Sequence, residues 1–239
     1  MLEEYGRVII SCIAGLISGT LLGNGAVYFF NKIPGKWFCD YGEEPDEELI
    51  HPTEQRVKST PWKYVFSGLF IIISIWLILY KPGYAVAALA ACWLLLEMAI
   101  ADVKYRIIPD QLVLLLLVTG LGFIPFHRGG PIDGLWGALI GFGVMLLIGI
   151  LGKLLYKKES LGGGDIKLFG ALGLATGVDG IIIIFILTTL LSAAHTVYLL
   201  LRKKIKITDH RPMAPYIAVS SGIYLVLLHQ IGYNITIYL

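Results

Sequence analysis

The sequence is poor in charged residues and in cysteine. Charged residues make up 15% of its 239 residues, whereas about a quarter is usual in a soluble domain. The cysteines number three and are widely spaced, at Cys12, Cys39 and Cys92. They are too few for a disulfide framework or a four-cysteine zinc site, so we expect no metal centre. The chain also lacks a basic arm or an aromatic RNA-binding motif, which argues against a nucleic-acid partner.

Apolar residues are abundant instead, at 56%, and they occur in runs close to the ~20 residues that cross a bilayer. The sequence therefore predicts an all-α integral membrane protein with about eight transmembrane helices. The first apolar run is longer than the core of a typical signal peptide, so we interpret it as a retained helix. The candidate spans are residues 8–30, 63–80, 84–101, 111–126, 133–155, 166–178, 181–201 and 213–231.

Lysine and arginine fall on alternate loops between these spans. The loops at 31–62, 102–110, 152–167 and 202–212, with Lys63 at the border of the first, hold 16 of the 19 basic residues. Because such residues concentrate on the cytoplasmic side, these four loops are predicted to be cytoplasmic and both termini external. An even number of crossings is needed to keep all four loops on one side. It requires a turn at Gly177-Val178-Asp179-Gly180, which separates the sixth span from the seventh. We expect two domains, a first helix with a short cytoplasmic loop (1–62) and a membrane-embedded domain (63–239).

Two aspartates stand out at ends of apolar spans. Carboxylates are costly near lipid and usually carry function there. Asp102 follows the span at 84–101, in a segment that Pro109 prevents from continuing as helix. Asp110 then lies where the N-cap of the next helix is expected. Capping does not explain Asp102, which follows the end of a span. The alternative to a functional role for Asp102 is a surface ion pair with Lys104 or Arg106.

Asp165 follows three glycines, Gly162, Gly163 and Gly164, and opens the next apolar segment. The glycines permit unusual backbone angles and the close approach of another backbone, such as a substrate strand. The alternative for Asp165 is a simple helix cap. Both aspartates are predicted on the cytoplasmic face, where a pair of carboxyl groups sharing a proton activates water. Glu97 is a further acid inside a span, either a buried polar group whose hydrogen bonds are satisfied or a modulator of Asp102.

The two motifs together resemble the type IV prepilin peptidases. The segment from Asp102 to Asp110 is similar to the first aspartate signature of that family, and Gly162 to Leu168 is similar to its second, G-x-G-D-x-K-L. Arg211-Pro212-Met213-Ala214-Pro215-Tyr216 resembles the proline pair before its last helix. The resemblance implies an aspartyl protease that cleaves prepilin or pseudopilin leaders at the cytoplasmic side of the inner membrane. It implies Asp102 and Asp165 as the catalytic pair, supported by Gly162, Gly164 and Lys167.

The same resemblance implies no cofactor for proteolysis. It implies S-adenosylmethionine where the family's N-methyltransferase activity is present, although this sequence offers no clear residues for it. Many bacterial members carry four cysteines in the loop after the first helix, but this loop has only Cys39.

Three other interpretations compete with a prepilin peptidase. A transporter or proton relay would use the same acids, but its site is expected near the mid-plane of the membrane. A presenilin-like protease would have a tyrosine before the first aspartate, where this chain has Ala101. A structural membrane protein leaves both motifs unexplained.

Overall fold

The computed structural model describes residues 2–39, 45, 47–50, 52, 54–157, 161–204 and 211–229. Within these residues every regular element is a helix, which confirms the predicted all-α class. The α-helices are α1 (Leu2–Lys32), α2 (Glu47–Ile50), α3 (Ser59–Tyr80), α4 (Pro82–Tyr105), α5 (Asp110–Leu121), α6 (Pro131–Tyr156), α7 (Gly163–Leu201) and α8 (Ala214–Ile223), the last continuing as a π-helix over Tyr224–Leu228.

The described helices are those of a multi-pass membrane protein. Helices α1, α3, α4, α6 and α7 are long and apolar enough to cross a membrane. Two further apolar helices, α5 and the segment Ala214–Leu228, are shorter. The predicted count of eight spans is therefore not confirmed. One reason is that the predicted span 111–126 is a helix of only 12 residues, followed by a 3₁₀ turn at Ile124–Phe126.

The chain forms two compact units, Met1–Glu97 and Met98–Leu239, and the boundary falls inside α4. In the first unit, α1 packs along α3 through Gly15, Gly19 and Gly23. A Cβ atom at any of the three would collide with the α3 backbone. Their spacing of four keeps them on one face of α1, the pattern by which membrane helices approach each other closely. The predicted boundary between residues 62 and 63 stays a prediction.

Described parts of the loop after α1 pack against one another. Arg56 is only 7% exposed. Its guanidinium donates hydrogen bonds to the carbonyl oxygens of Ile33 and Leu49 and lies 5.1 Å from the centre of the Phe38 ring. The described part of this loop is therefore folded around a buried arginine.

The second unit is organised by a reversal within α7. Gly177 has φ 70° and ψ −174°, a conformation that essentially only glycine adopts. The rings of Phe169 and Phe185 have centroids 6.1 Å apart, whereas sixteen residues of straight helix would separate them by about 24 Å. Helix α7 is therefore two antiparallel arms, residues 163–176 and 178–201. The predicted turn at Gly177–Gly180 is confirmed.

Helix α6 lies against the first arm of α7 and helps to fix the reversal. Gly137 and Gly173 are so close that a Cβ atom on either would meet the carbonyl oxygen of the other. Near the break, the Asp133 carboxylate accepts a hydrogen bond from the Val178 amide at 3.2 Å. Asp133 thereby satisfies one of the free amides that begin the second arm.

The helices of this unit define two ends. Helix α5 runs parallel to the first arm, because Asp110 contacts Lys167 at one end and Gly120 lies against Leu174 towards the other. We call the end that carries Asp102, Asp165 and Ala214 the aspartate end. The opposite end carries the Gly177 break and the segment 122–130, where His127 Nε2 lies 3.1 Å from the Ala175 carbonyl oxygen.

Candidate active site

Asp102 lies in the last turn of α4. The helix ends at Tyr105, four residues before the expected break at Pro109. Arg106 has φ 60°, a left-handed conformation that stops a helix, while its amide still bonds the Asp102 carbonyl oxygen at 3.0 Å. The local end of α4 is therefore set by Arg106 rather than by the proline.

The Asp102 side chain is buried, with 7% of the residue exposed. Its Oδ2 accepts a hydrogen bond from the Ala214 amide at 2.8 Å, and the Met213 amide donates to the same carboxylate. Both amides belong to the start of α8, where backbone N–H groups have no partner inside the helix. Arg106 adds an attractive charge. Asp102 is therefore not the exposed surface pair considered as the alternative, but a buried acid that anchors the last helix.

Asp165 lies in the first turn of α7, whose N-cap is Gly162. Its carboxylate accepts a hydrogen bond from the Gly162 amide, and its own amide bonds the Gly162 carbonyl oxygen at 3.2 Å. Asp165 is therefore not the N-cap residue itself but bonds back to it, as the third residue of a capping box does. This contact uses only part of the carboxylate, because Oδ1 is buried and has no hydrogen-bond partner among the described residues. Buried polar atoms without a partner are rare and call for an explanation.

The fold brings the two aspartates together. The charge of Asp102 acts on Asp165 across the space between α4 and α7. Helices α5 and α6 separate the two residues in the sequence, so only the packing of the second unit brings them near each other. The arrangement is a pair of largely buried carboxyl groups, the grouping that sequence analysis predicted.

Gly164 holds the two motifs against each other. A Cβ atom at this position would lie 2.9 Å from Ile108 Cβ, closer than two carbon atoms tolerate. Ile108 belongs to the first motif and is buried. Gly164 therefore leaves room for Ile108, whereas the predicted approach of a substrate strand to the glycines stays a prediction. A Cβ atom at Gly163, by contrast, has no described neighbour within 4 Å.

Lys167 also joins the two motifs. Its Nζ donates to both carboxylate oxygens of Asp110, at 2.8 and 2.7 Å. The predicted N-cap role of Asp110 is wrong, because the N-cap position of α5 is Pro109 and Asp110 is the first residue of the helix itself. Its carboxylate instead bridges α5 to the start of α7.

The structure thus groups Asp102, Asp165, Gly162, Gly164 and Lys167 at the aspartate end. Sequence reasoning missed Ile108 as the contact of Gly164. It noted Ala214 only as part of the resemblance, although the proline on each side of Met213-Ala214 marks a helix start whose free amides need an acceptor.

Glu97 is completely buried, and neither of its carboxylate oxygens has a partner among the described residues. The structure therefore does not confirm the interpretation of Glu97 as a polar group with satisfied hydrogen bonds, and its influence on Asp102 stays a prediction. No cluster of three or more His, Cys, Asp or Glu side chains suited to a metal occurs in the parts of the chain described above. The absence of a metal centre stays a prediction.

The fold and this pair define the class of the molecule: a multi-pass helical membrane protein with two aspartates brought together at one end of a helical unit. Residues 88–197 match the model of the type IV leader peptidase family. This match confirms the resemblance found in the two motifs. It includes both aspartates and the Asp110–Lys167 contact.

Several curated relatives are named prepilin leader peptidase/N-methyltransferase. The chain is 33% identical over 146 residues to the prepilin leader peptidase/N-methyltransferase of Stutzerimonas stutzeri, covering 61% of this chain and 50% of the relative. It is 34% identical over 152 residues to that of Aeromonas hydrophila, covering 61% and 51%. For Dickeya chrysanthemi the identity is 30% over 174 residues, covering 70% and 60%. The chain thus spans about half the length of the first two relatives. No solved structure matches.

Proposed function

We propose that this protein is a membrane aspartic endopeptidase that cleaves the leader peptide of type IV prepilins or pseudopilins. The proposal rests on one observation, the grouping of Asp102 and Asp165 at the aspartate end within a segment of leader peptidase sequence. The relatives are named prepilin leader peptidases, and they supply the substrate class. The pair of carboxyl groups supplies the chemistry.

The mechanism is activation of water by the two aspartates. One carboxylate takes a proton from water as the oxygen attacks the scissile carbonyl carbon. The other, protonated, donates its proton to the carbonyl oxygen, and a proton then passes to the leaving amine as the peptide bond breaks. Two close carboxyl groups cannot both ionise cheaply, so they divide these roles. Acid–base help of this kind is worth about 10²- to 10⁴-fold in rate.

The aspartate end is proposed to face the cytoplasm. Nine described basic residues of the second unit lie within or just beyond the helix ends on this side, whereas Arg128 is at the opposite end. Lysine and arginine favour the cytoplasmic side, so their distribution supports cleavage there. The nine residues are Lys104, Arg106, Lys153, Lys157, Lys167, Arg202, Lys203, Lys204 and Arg211.

The relatives are also named N-methyltransferases. We assign no residue of this chain to S-adenosylmethionine, because the described residues give no contact that distinguishes such a site. The proposal is therefore confined to cleavage. A transporter using the same acids is not favoured, because both aspartates lie at one end of their unit rather than midway along it.

The test uses purified protein in detergent with a prepilin as substrate. We expect a shortened product whose new N-terminus is found by mass spectrometry, and a mass increase of one methyl group on that product only if S-adenosylmethionine is used. Asp102→Asn and Asp165→Asn keep the size of the side chain but cannot exchange the proton, so each should abolish cleavage while the protein stays folded. Asp179→Asn, an exposed acid at the opposite end, is the matched control. Full activity in either aspartate variant would refute the two-aspartate mechanism.

A further inference from the structure

Two contacts join the segment that follows Asp102 to the start of α7, which carries Asp165. The first is apolar, between Gly164 and the side chain of Ile108. The second is ionic, between Lys167 and Asp110, with Nζ 2.7 and 2.8 Å from the two carboxylate oxygens. The apolar contact fixes how closely the segments approach. The ionic contact lies about one turn further along α7 and at the first residue of α5, where it opposes rotation or sliding of the two segments.

The position of Lys167 in α7 allows it to hold the two segments together without facing Asp165. Lys167 follows Asp165 by two residues in α7, and side chains two apart on a helix do not face each other. Asp165 is therefore turned towards Asp102 while Lys167 reaches the neighbouring helix α5. Asp110 is the first residue of α5, where its charge is also favoured by the helix dipole.

We propose that Asp110 and Lys167 form a positioning pair for the catalytic aspartates. The pair touches neither substrate nor reacting atoms, and acts by holding the first turn of α7 in register with the end of the first motif. This inference rests on the proposed function, since it concerns the same site. If Asp110 only capped a helix, asparagine could replace it. As a member of the positioning pair, Asp110 instead contributes to the rate of cleavage.

The expected size of the effect follows from exposure. The side chains of Lys167 and Asp110 are 51% and 64% exposed. Exposed ion pairs change an equilibrium by only about 2- to 5-fold, and salt screens them. The pair is therefore expected to change kcat by about 2- to 5-fold, with KM for the prepilin unchanged.

The experiment is a double-mutant cycle in the prepilin assay. Asp110→Asn and Lys167→Gln should each lower kcat by about 2- to 5-fold, and the double variant should lose no more than either single one. Asp110→Lys places two positive charges together and should cost at least tenfold. Combining Asp110→Lys with Lys167→Asp restores the opposite charges and should recover most of that loss. Asp179→Asn serves as the unchanged control.

Salt provides a second measurement on the same proteins. Raising the ionic strength from about 0.1 M to 1 M shortens the screening length from about 10 Å to 3 Å. Wild-type kcat should fall by the same few-fold, whereas kcat of the Asp110→Asn, Lys167→Gln double variant should not change.

The outcomes separate the inference from the proposed function. If the wild-type protein cleaves prepilin but the single variants keep full kcat, or the reversed pair gives no rescue, the positioning pair is refuted and the peptidase is not. Coupling between the two residues in thermal stability without coupling in kcat would also refute it, because the pair would then be structural only. Failure of the wild-type protein to cleave would overturn both.

Discussion

Gly164→Ala is the most direct test of how the site is assembled. The added methyl group would lie 2.9 Å from Ile108 Cβ. Ordinary contacts between carbon atoms are about 3.5–4.0 Å, so one of the two backbones must shift by roughly 0.5–1 Å. The atom met is Cβ, next to the backbone, and Ile108 cannot avoid the clash by changing its rotamer. The shift therefore moves Asp165 relative to Asp102.

The expected effects on stability and activity differ in size. Overpacking costs about 1–3 kcal/mol, and replacing a helical glycine by alanine returns about 0.8–1.0 kcal/mol. The free energy of unfolding should therefore fall by no more than about 2 kcal/mol. A displacement near 1 Å, by contrast, can cost about 10²-fold in rate. We expect kcat for prepilin cleavage to fall by about 10- to 100-fold, and Gly164→Val to lower it further.

Gly163→Ala is the matched control. It lies in the same first turn of α7, but its Cβ atom meets no described atom within 4 Å. It should keep kcat within about 2-fold and have unchanged or slightly higher thermal stability. Prepilin cleavage by the two variants is compared at saturating substrate, with thermal unfolding followed in the same detergent. Equal kcat for Gly164→Ala and wild type, in folded protein, would refute the idea that contact with Ile108 sets the position of Asp165.

Two further predictions concern the reversal in α7 and the orientation in the membrane. Gly177→Ala forces a side chain into a glycine-only conformation, so thermal unfolding should show a loss of about 1–3 kcal/mol or more, and an unchanged melting temperature would contradict the strained break. Cysteine at Lys104 should resist a membrane-impermeant thiol reagent in intact cells and react after permeabilisation, whereas cysteine at Arg128 should react from outside. Labelling of both positions from the same side of the membrane would refute the proposed orientation. Lys158, a further labelling position that the sequence suggests, lies outside the described residues.

The sequence by itself determined the class of the fold and the residues of the candidate site. Apolar runs of nearly bilayer length predict helices, because only helices satisfy their own backbone polar groups in lipid. The scarcity of acids within those runs singled out Asp102 and Asp165, since a carboxylate near lipid is too costly to keep without a role. The break at Gly177 was also readable, because two glycines flank a valine and an acid between apolar runs.

Only the tertiary structure decided how these residues meet. The sequence placed Asp110 as a helix cap, but its partner Lys167 is 57 residues away and belongs to another helix. It gave no sign that Ile108 packs against Gly164. It gave no acceptor for the free amides of α8, which bond Asp102 across 112 residues of chain. Helix periodicity and local propensity describe contacts between residues that are close in the sequence. The contacts named above depend instead on which helix faces pack together. The close approach of glycine backbones and the reversal of α7 set that packing.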